Sequence, residues 1–113
     1  MTELFVSRKC TAHPPHGSGF SIQIGVFTPA ATADRGWQCK LSLEGIQDED
    51  RVACGIDQWH ALQMGMQMIW IELSLKTKMG WRFSWFDGES MEPDELLPHW
   101  GQEVAPKLFT RPR

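Results

Sequence analysis

The segment from Gln58 to Lys78 contains no proline and a single internal glycine, Gly65. Asp57 precedes it, and an aspartate there can accept hydrogen bonds from the free N–H groups of a first helical turn. Lys76 and Lys78 complement the dipole near the C-terminal end, and Gly80 follows as a terminator. The spacing predicts one long helix over Gln58–Lys78. Its apolar residues form two stripes. Trp59, Leu62, Met66, Ile69, Trp70 and Leu73 make the stripe expected to lie on a sheet. Met64, Met68, Ile71 and Leu75 make a second, on almost the opposite side. A helix on one sheet needs only one apolar face. The second must be covered by the C-terminal segment, by another subunit or by a partner.

Strands precede this helix. Residues 3–12 read as a first strand with mixed faces, and His13-Pro14-Pro15-His16-Gly17-Ser18-Gly19 as a turn. Phe20, Ile22, Ile24 and Val26 alternate with polar or small residues, the period-2 pattern of a half-buried strand. Residues 28–36 read as loop. Trp37, Cys39, Leu41 and Leu43 repeat the alternation, Gly45–Asp50 makes an acidic turn, and Arg51–Gly55 is a short strand carrying Val52 and Cys54. After the helix, Trp81–Phe86 is a final strand with Trp81, Phe83 and Trp85 on one face. Leu96, Leu97 and Trp100 stand near helical spacing and could fold back over the methionine stripe. The expected fold is α+β: a mostly antiparallel sheet of four or five strands, one long helix on one face, and a short C-terminal helix or coil. A chain of 113 residues suits one domain, here expected over 1–105, with a disordered basic tail over 106–113.

Charge restricts the partners. Eleven Lys+Arg against fourteen Asp+Glu leave a net charge of −3, whereas nucleic-acid binders usually carry a basic excess. No uncharged apolar stretch approaches the roughly 20 residues of a membrane span. Neither nucleic acid nor membrane is expected as a partner. The acidity is uneven: Asp87, Glu89, Glu92, Asp94, Glu95 and Glu103 fall within seventeen residues that hold no Lys or Arg. Such a run reads as a solvated acidic loop or, through Asp87, Glu89, Glu92, Asp94 and Glu95 with Asp48, Glu49 and Asp50, as an acidic face that docks a basic protein partner. Cys10, Cys39 and Cys54 are odd in number and without paired spacing, and the opening MTELFVSRKC lacks the apolar core of a signal peptide. Both predict a reducing cytoplasm, with the cysteines as small apolar core residues.

Chemistry finds little purchase. Cys10, His13 and His16 have metal-like spacing but no clear fourth ligand. Cys54 and His60 flank the helix start, yet one occupies an apolar strand position and the other a polar helix face. Asp57 is better explained as a cap than as an acid or base. Phosphate-binding glycine loops and nucleophile-elbow motifs are absent. The sequence predicts no enzyme, metal or cofactor.

One block points to a family. Gly55-Ile56-Asp57-Gln58-Trp59-His60-Ala61-Leu62-Gln63-Met64-Gly65-Met66-Gln67-Met68-Ile69 resembles a G-[IV]-D-x-x-Q-A-L-x-x-A-x-x-x-I pattern. Glu72-Leu73 and Trp85-Phe86-Asp87-Gly88 follow, and Trp37-Gln38-Cys39 with Leu43-Glu44-Gly45 resembles an upstream W-x-C…I-x-G strand. Over about residues 20–97 the chain is similar to small bacterial proteins with a domain of unknown function, which resemble immunity proteins of contact-dependent or secreted toxin systems. It departs at His60, where the pattern has Gln, and at Gly65, where it has Ala. The resemblance carries no catalytic residue. It implies a non-enzymatic protein that neutralises a cognate toxin by binding and occlusion; the charge pattern adds Asp87, Glu89, Glu92, Asp94 and Glu95, with Asp48, Glu49 and Asp50, as the surface that would meet a basic cleft. The alternative is a homo-oligomeric structural or regulatory protein, such as a homodimer, with Met64, Met68, Ile71 and Leu75 as the self-interface. A small-ligand-binding domain using the tryptophan-rich sheet face is a third reading.

Overall fold

The period-2 segments form strands that pair only in antiparallel fashion. The structure, a computed structural model, describes residues 4–46, 51–85 and 88–97. Seven strands make one sheet: β1 (Val6–His13), β2 (Phe20–Val26), β3 (Ala30–Ala31), β4 (Trp37–Glu44), β5 (Arg51–Gly55), β6 (Arg82–Ser84) and β7 (Ser90–Met91). The helix α1 (Gln58–Lys78) links β5 to β6, and a 3-10 turn (Pro93–Glu95) follows β7. β2 and β3 run along one side of β4 and β5 along the other, so the order across the sheet is β5, β4, β2 with β3, β1, β6, β7. The fold is α+β as expected. The two strands beyond the expected count are the two-residue β3, inside the anticipated loop, and β7.

Register sets the faces. Cys10 pairs with Ile22, Ile24 with Leu43, Cys39 with Ala53 and Ala12 with Phe83, and all of these are buried on the face that α1 covers. The opposite face carries Ser7, Lys9, Gln23, Gln38, Lys40 and Arg82. In β5 the inward residue is Ala53, so Cys54 is exposed rather than in the core. Cys10 and Cys39 are buried as expected.

Local chemistry fixes both ends of α1. Asp57 Oδ1 accepts the His60 N–H at 2.8 Å, and the His60 ring Nδ1 accepts the Ile56 N–H at 3.1 Å, a reciprocal cap. At the other end the Gly80 N–H donates to Thr77 O and the Trp81 N–H to Lys76 O, with Gly80 at φ 100°, the Schellman arrangement. Gly55 is required for close approach, because a Cβ there would lie 2.4 Å from the Ala61 nitrogen. The buried line of α1 is Ala61, Gly65, Ile69 and Leu73. The expected sheet-facing stripe is thus displaced: Ile69 and Leu73 are in it, while Trp59 stands in solvent. Small residues at 61 and 65 let the helix sit close over β4 and β5. Among the described residues, no helix is long and apolar enough to cross a membrane. The anticipated boundary at 105 and the tail over 106–113 lie outside the described residues.

Candidate functional site

The acidic segment is built from the sheet edge outward. After β6 the chain doubles back, with the Trp85 N–H donating to Glu89 O at 2.8 Å and the Gly88 N–H to Trp85 O at 2.9 Å. β7 pairs with β6, Pro93 is buried, and the 3-10 turn then presents Asp94 and Glu95 beside α1. Glu89, Glu92, Asp94 and Glu95 are all exposed. Two are held in place. The Trp70 indole N–H donates to Asp94 Oδ1 at 2.8 Å, and the Trp85 indole N–H donates to Glu95 Oε2 at 3.1 Å. Half-buried indoles need an acceptor for their N–H, and here both find a carboxylate. The Arg8 guanidinium stacks on Trp85, 4.4 Å from the ring centroid.

Four of the anticipated acidic residues therefore come together within seven positions. Asp87, Asp48, Glu49 and Asp50 lie outside the described residues. Glu92 also lines a cleft of about 490 Å³ with Thr77, Trp81, Arg82 and Ser90, between the end of α1 and the β6–β7 pair.

The methionine stripe is not one surface. Met64 and Met68 are half-buried and pack against the core, whereas Ile71 and Leu75 are exposed. The described C-terminal residues reach it only at one end: Leu97 shares a small groove with Met64, Gln63 and Gln67, and Trp100 lies outside the described residues. Leu96 and Leu97 also line a second groove with Met66 and Ile69. That groove, which also includes Val6 and Arg8, measures about 130 Å³. A drug-sized ligand needs roughly 300 Å³ or more.

The proposed chemical pairs are kept apart. Cys10 and His13, three residues apart on β1, point to opposite faces, and His13 Nε2 instead lies 3.0 Å from Ser84 Oγ. His60 is occupied at the helix cap. Burial raises the Cys10 thiol above its ordinary value of 9.0, with nearby Arg8 partly opposing, and burial alone raises Cys39. Among the described residues no group of three His, Cys, Asp or Glu is placed to hold a metal.

A family model described as a domain of unknown function, DUF6968, matches residues 6–92. The chain belongs to this family. The DUF6968 match spans β1 through the start of the acidic segment, and its description makes no link to toxin immunity. No curated protein and no solved structure matches the chain.

Sequence reasoning missed Trp70, Trp85 and Arg8 as parts of this site. The sequence pattern places Trp70 on the sheet-facing stripe and Trp85 on one face of the last strand with Trp81 and Phe83. The usable signal was the indole N–H, which a buried apolar stripe cannot satisfy.

Proposed function

We propose that this DUF6968 protein is a non-enzymatic protein-binding module, an immunity protein that neutralises a cognate bacterial toxin by occluding it. One observation carries the reading: Glu89, Glu92, Asp94 and Glu95 project from a segment that two indole hydrogen bonds hold in place. A solvated charge run pays the full entropy of ordering when it binds, whereas an anchored one is preorganised. The basic cleft of a nuclease is the partner chemistry that such a surface fits. Opposed charge accelerates the encounter, and apolar contacts around it set the dissociation rate. The cleft beside Glu92 has room for a lysine or arginine side chain from the partner. The sequence resemblance over residues 20–97 supplies the toxin context.

The test begins with co-expression of the tagged chain and the product of the neighbouring reading frame. A stoichiometric complex with a basic, toxic partner is expected. Glu89→Lys with Glu92→Lys leaves both indole bonds intact and should slow association by about tenfold or more at low salt. Recovery of no partner refutes the immunity role. A complex whose association rate ignores the charge reversal refutes the acidic docking surface.

A further inference from the structure

Arg8 is out of place in β1. It pairs with Ile24, whose side chain is in the core, so the alternation of the strand turns Arg8 to the helix side of the sheet, where Cys10 and Ala12 are buried. The guanidinium stays exposed by rising over the Trp85 ring, 4.4 Å from its centroid. Among the described residues it makes no ion pair. A cation thus stands beside a run of carboxylates without pairing to any described one.

Trp85 is engaged at two places. Its N–H, on the ring edge, donates to Glu95 Oε2 at 3.1 Å, and Arg8 covers its face. The ring also packs against the core, which fixes its position. A fixed aromatic face with a carboxylate held at its edge suits a guanidinium: the face attracts the cation, and the carboxylate supplies the opposite charge. Arg8 shows that a guanidinium fits there. We propose that this face of Trp85 is an arginine subsite of the acidic surface, which Arg8 fills as a built-in competitor until an arginine of the basic partner displaces it. The proposal rests on the reading of residues 89–95 as a surface for a basic protein.

Arg8 is a replaceable occupant for two reasons. Its hold is a cation–π contact at an exposed site, worth only about two- to fivefold in an equilibrium, and no described ion pair adds to it. It also lines the groove of about 130 Å³ with Val6, Ile24, Ile69 and Leu96, so its aliphatic stem has apolar surface to lie on when the head leaves the ring. In the free protein the placement relieves strain of another kind. Glu92, Asp94 and Glu95 are exposed and close in sequence, and a cation on the order of one Debye length from Glu95, about 8 Å at physiological salt, eases their mutual repulsion. An incoming arginine takes over both roles. A lysine does so less well, because its ammonium is compact, strongly hydrated and stacks poorly.

The test titrates hexa-arginine and hexa-lysine peptides into the full chain at low salt, followed by calorimetry. Hexa-arginine should bind the more tightly. Arg8→Gln removes the competitor and should tighten hexa-arginine about threefold or more, with a smaller gain for hexa-lysine, and Arg8→Lys should fall between Arg8→Gln and wild type. Arg8 is exposed, so melting of both variants should be unchanged. The Trp85 indole N–H resonance, assigned by its loss in Trp85→Phe, should shift when hexa-arginine is added. An Arg8→Gln chain that binds hexa-arginine no more tightly than wild type overturns the subsite. So does a Trp85 resonance that does not respond, and so does an equal gain for both peptides, which bulk charge alone would give. Binding that Glu89→Lys with Glu92→Lys weakens but Arg8→Gln leaves unchanged refutes the subsite alone. A chain that binds neither peptide, with or without Arg8, refutes the acidic docking surface itself.

Discussion

Gly65→Ala tests the helix–sheet contact most directly, because two effects of known sign oppose each other there. In an ordinary helix interior the change stabilises by about 1 kcal/mol, since glycine loses more backbone freedom on folding. At this position the new Cβ would lie 2.7 Å from Cys39 Sγ, and 3.3 Å from both Cys39 Cβ and Val26 Cγ1. Carbon and sulfur do not approach so closely without something moving. Cys39 cannot move cheaply: it is fully buried, and its thiol is directed to Phe27 O at 3.4 Å. Overpacking of a tight core costs about 1–3 kcal/mol, so the net expectation is a loss of roughly 1 kcal/mol. In a domain of this size that lowers Tm by about 4 °C. The decisive measurement is a double-mutant cycle by urea denaturation with Cys39→Ala, which removes the sulfur. The alanine at 65 should then regain its propensity advantage, giving a coupling energy of about 1–2 kcal/mol between the two sites. If Gly65→Ala raises Tm in the wild-type background, the close seating of α1 on β4 is wrong.

Two further outcomes follow from the caps and the thiols. Asp57→Ala removes the acceptor for the His60 N–H and should cost about 1 kcal/mol in urea denaturation, while a cost within error would mean the cap is dispensable. A thiol reagent should find one fast cysteine, Cys54, in the native protein and all three after denaturation. The same burial has a pH signature. Cys10 and Cys39 are held above 9.0 in the folded state, so the unfolded chain loses these protons first as pH rises. Stability from this source is intact below pH 9.0 and declines above it, and a flat unfolding free energy between about pH 8 and 10 would contradict the burial of both thiols.

The main strands and the helix were legible because their patterns are long. β2 and β4 each carry a full alternation, and α1 has a cap, a terminator and no internal breaker over 21 residues. β3 and β7 were not legible, since two residues have no period and such strands exist only through their partners. Parity also failed in β5. Val52 and Cys54 are as apolar as Ala53, so nothing in five residues says which set faces inward, and pairing with Cys39 decides for Ala53. In the helix, ranking by hydrophobicity favoured Trp59 and Met66 over Ala61 and Gly65. Packing ranks them the other way, because a helix sits closest to a sheet along its smallest side chains.

The acidic segment shows the same division between composition and contact. Its charges were visible in the sequence, and four of them are surface carboxylates, as a charge run predicts. Its order was not visible. That comes from Trp70, twenty-four residues from Asp94, and from Trp85, ten from Glu95. Neither distance has a periodic signature, and both depend on the chain returning past β6 and β7 to the side of α1. A tryptophan counted as apolar for the core also carries one N–H that the core cannot satisfy. Where such a residue is half-buried beside a run of carboxylates, the hydrogen bond is the cheapest way to settle both, and it converts a charged stretch into a surface of fixed shape. The same reasoning explains why Arg8, on the helix-facing side of β1 where an apolar residue would be expected, is tolerated: it stacks on Trp85 and keeps its charge at the surface.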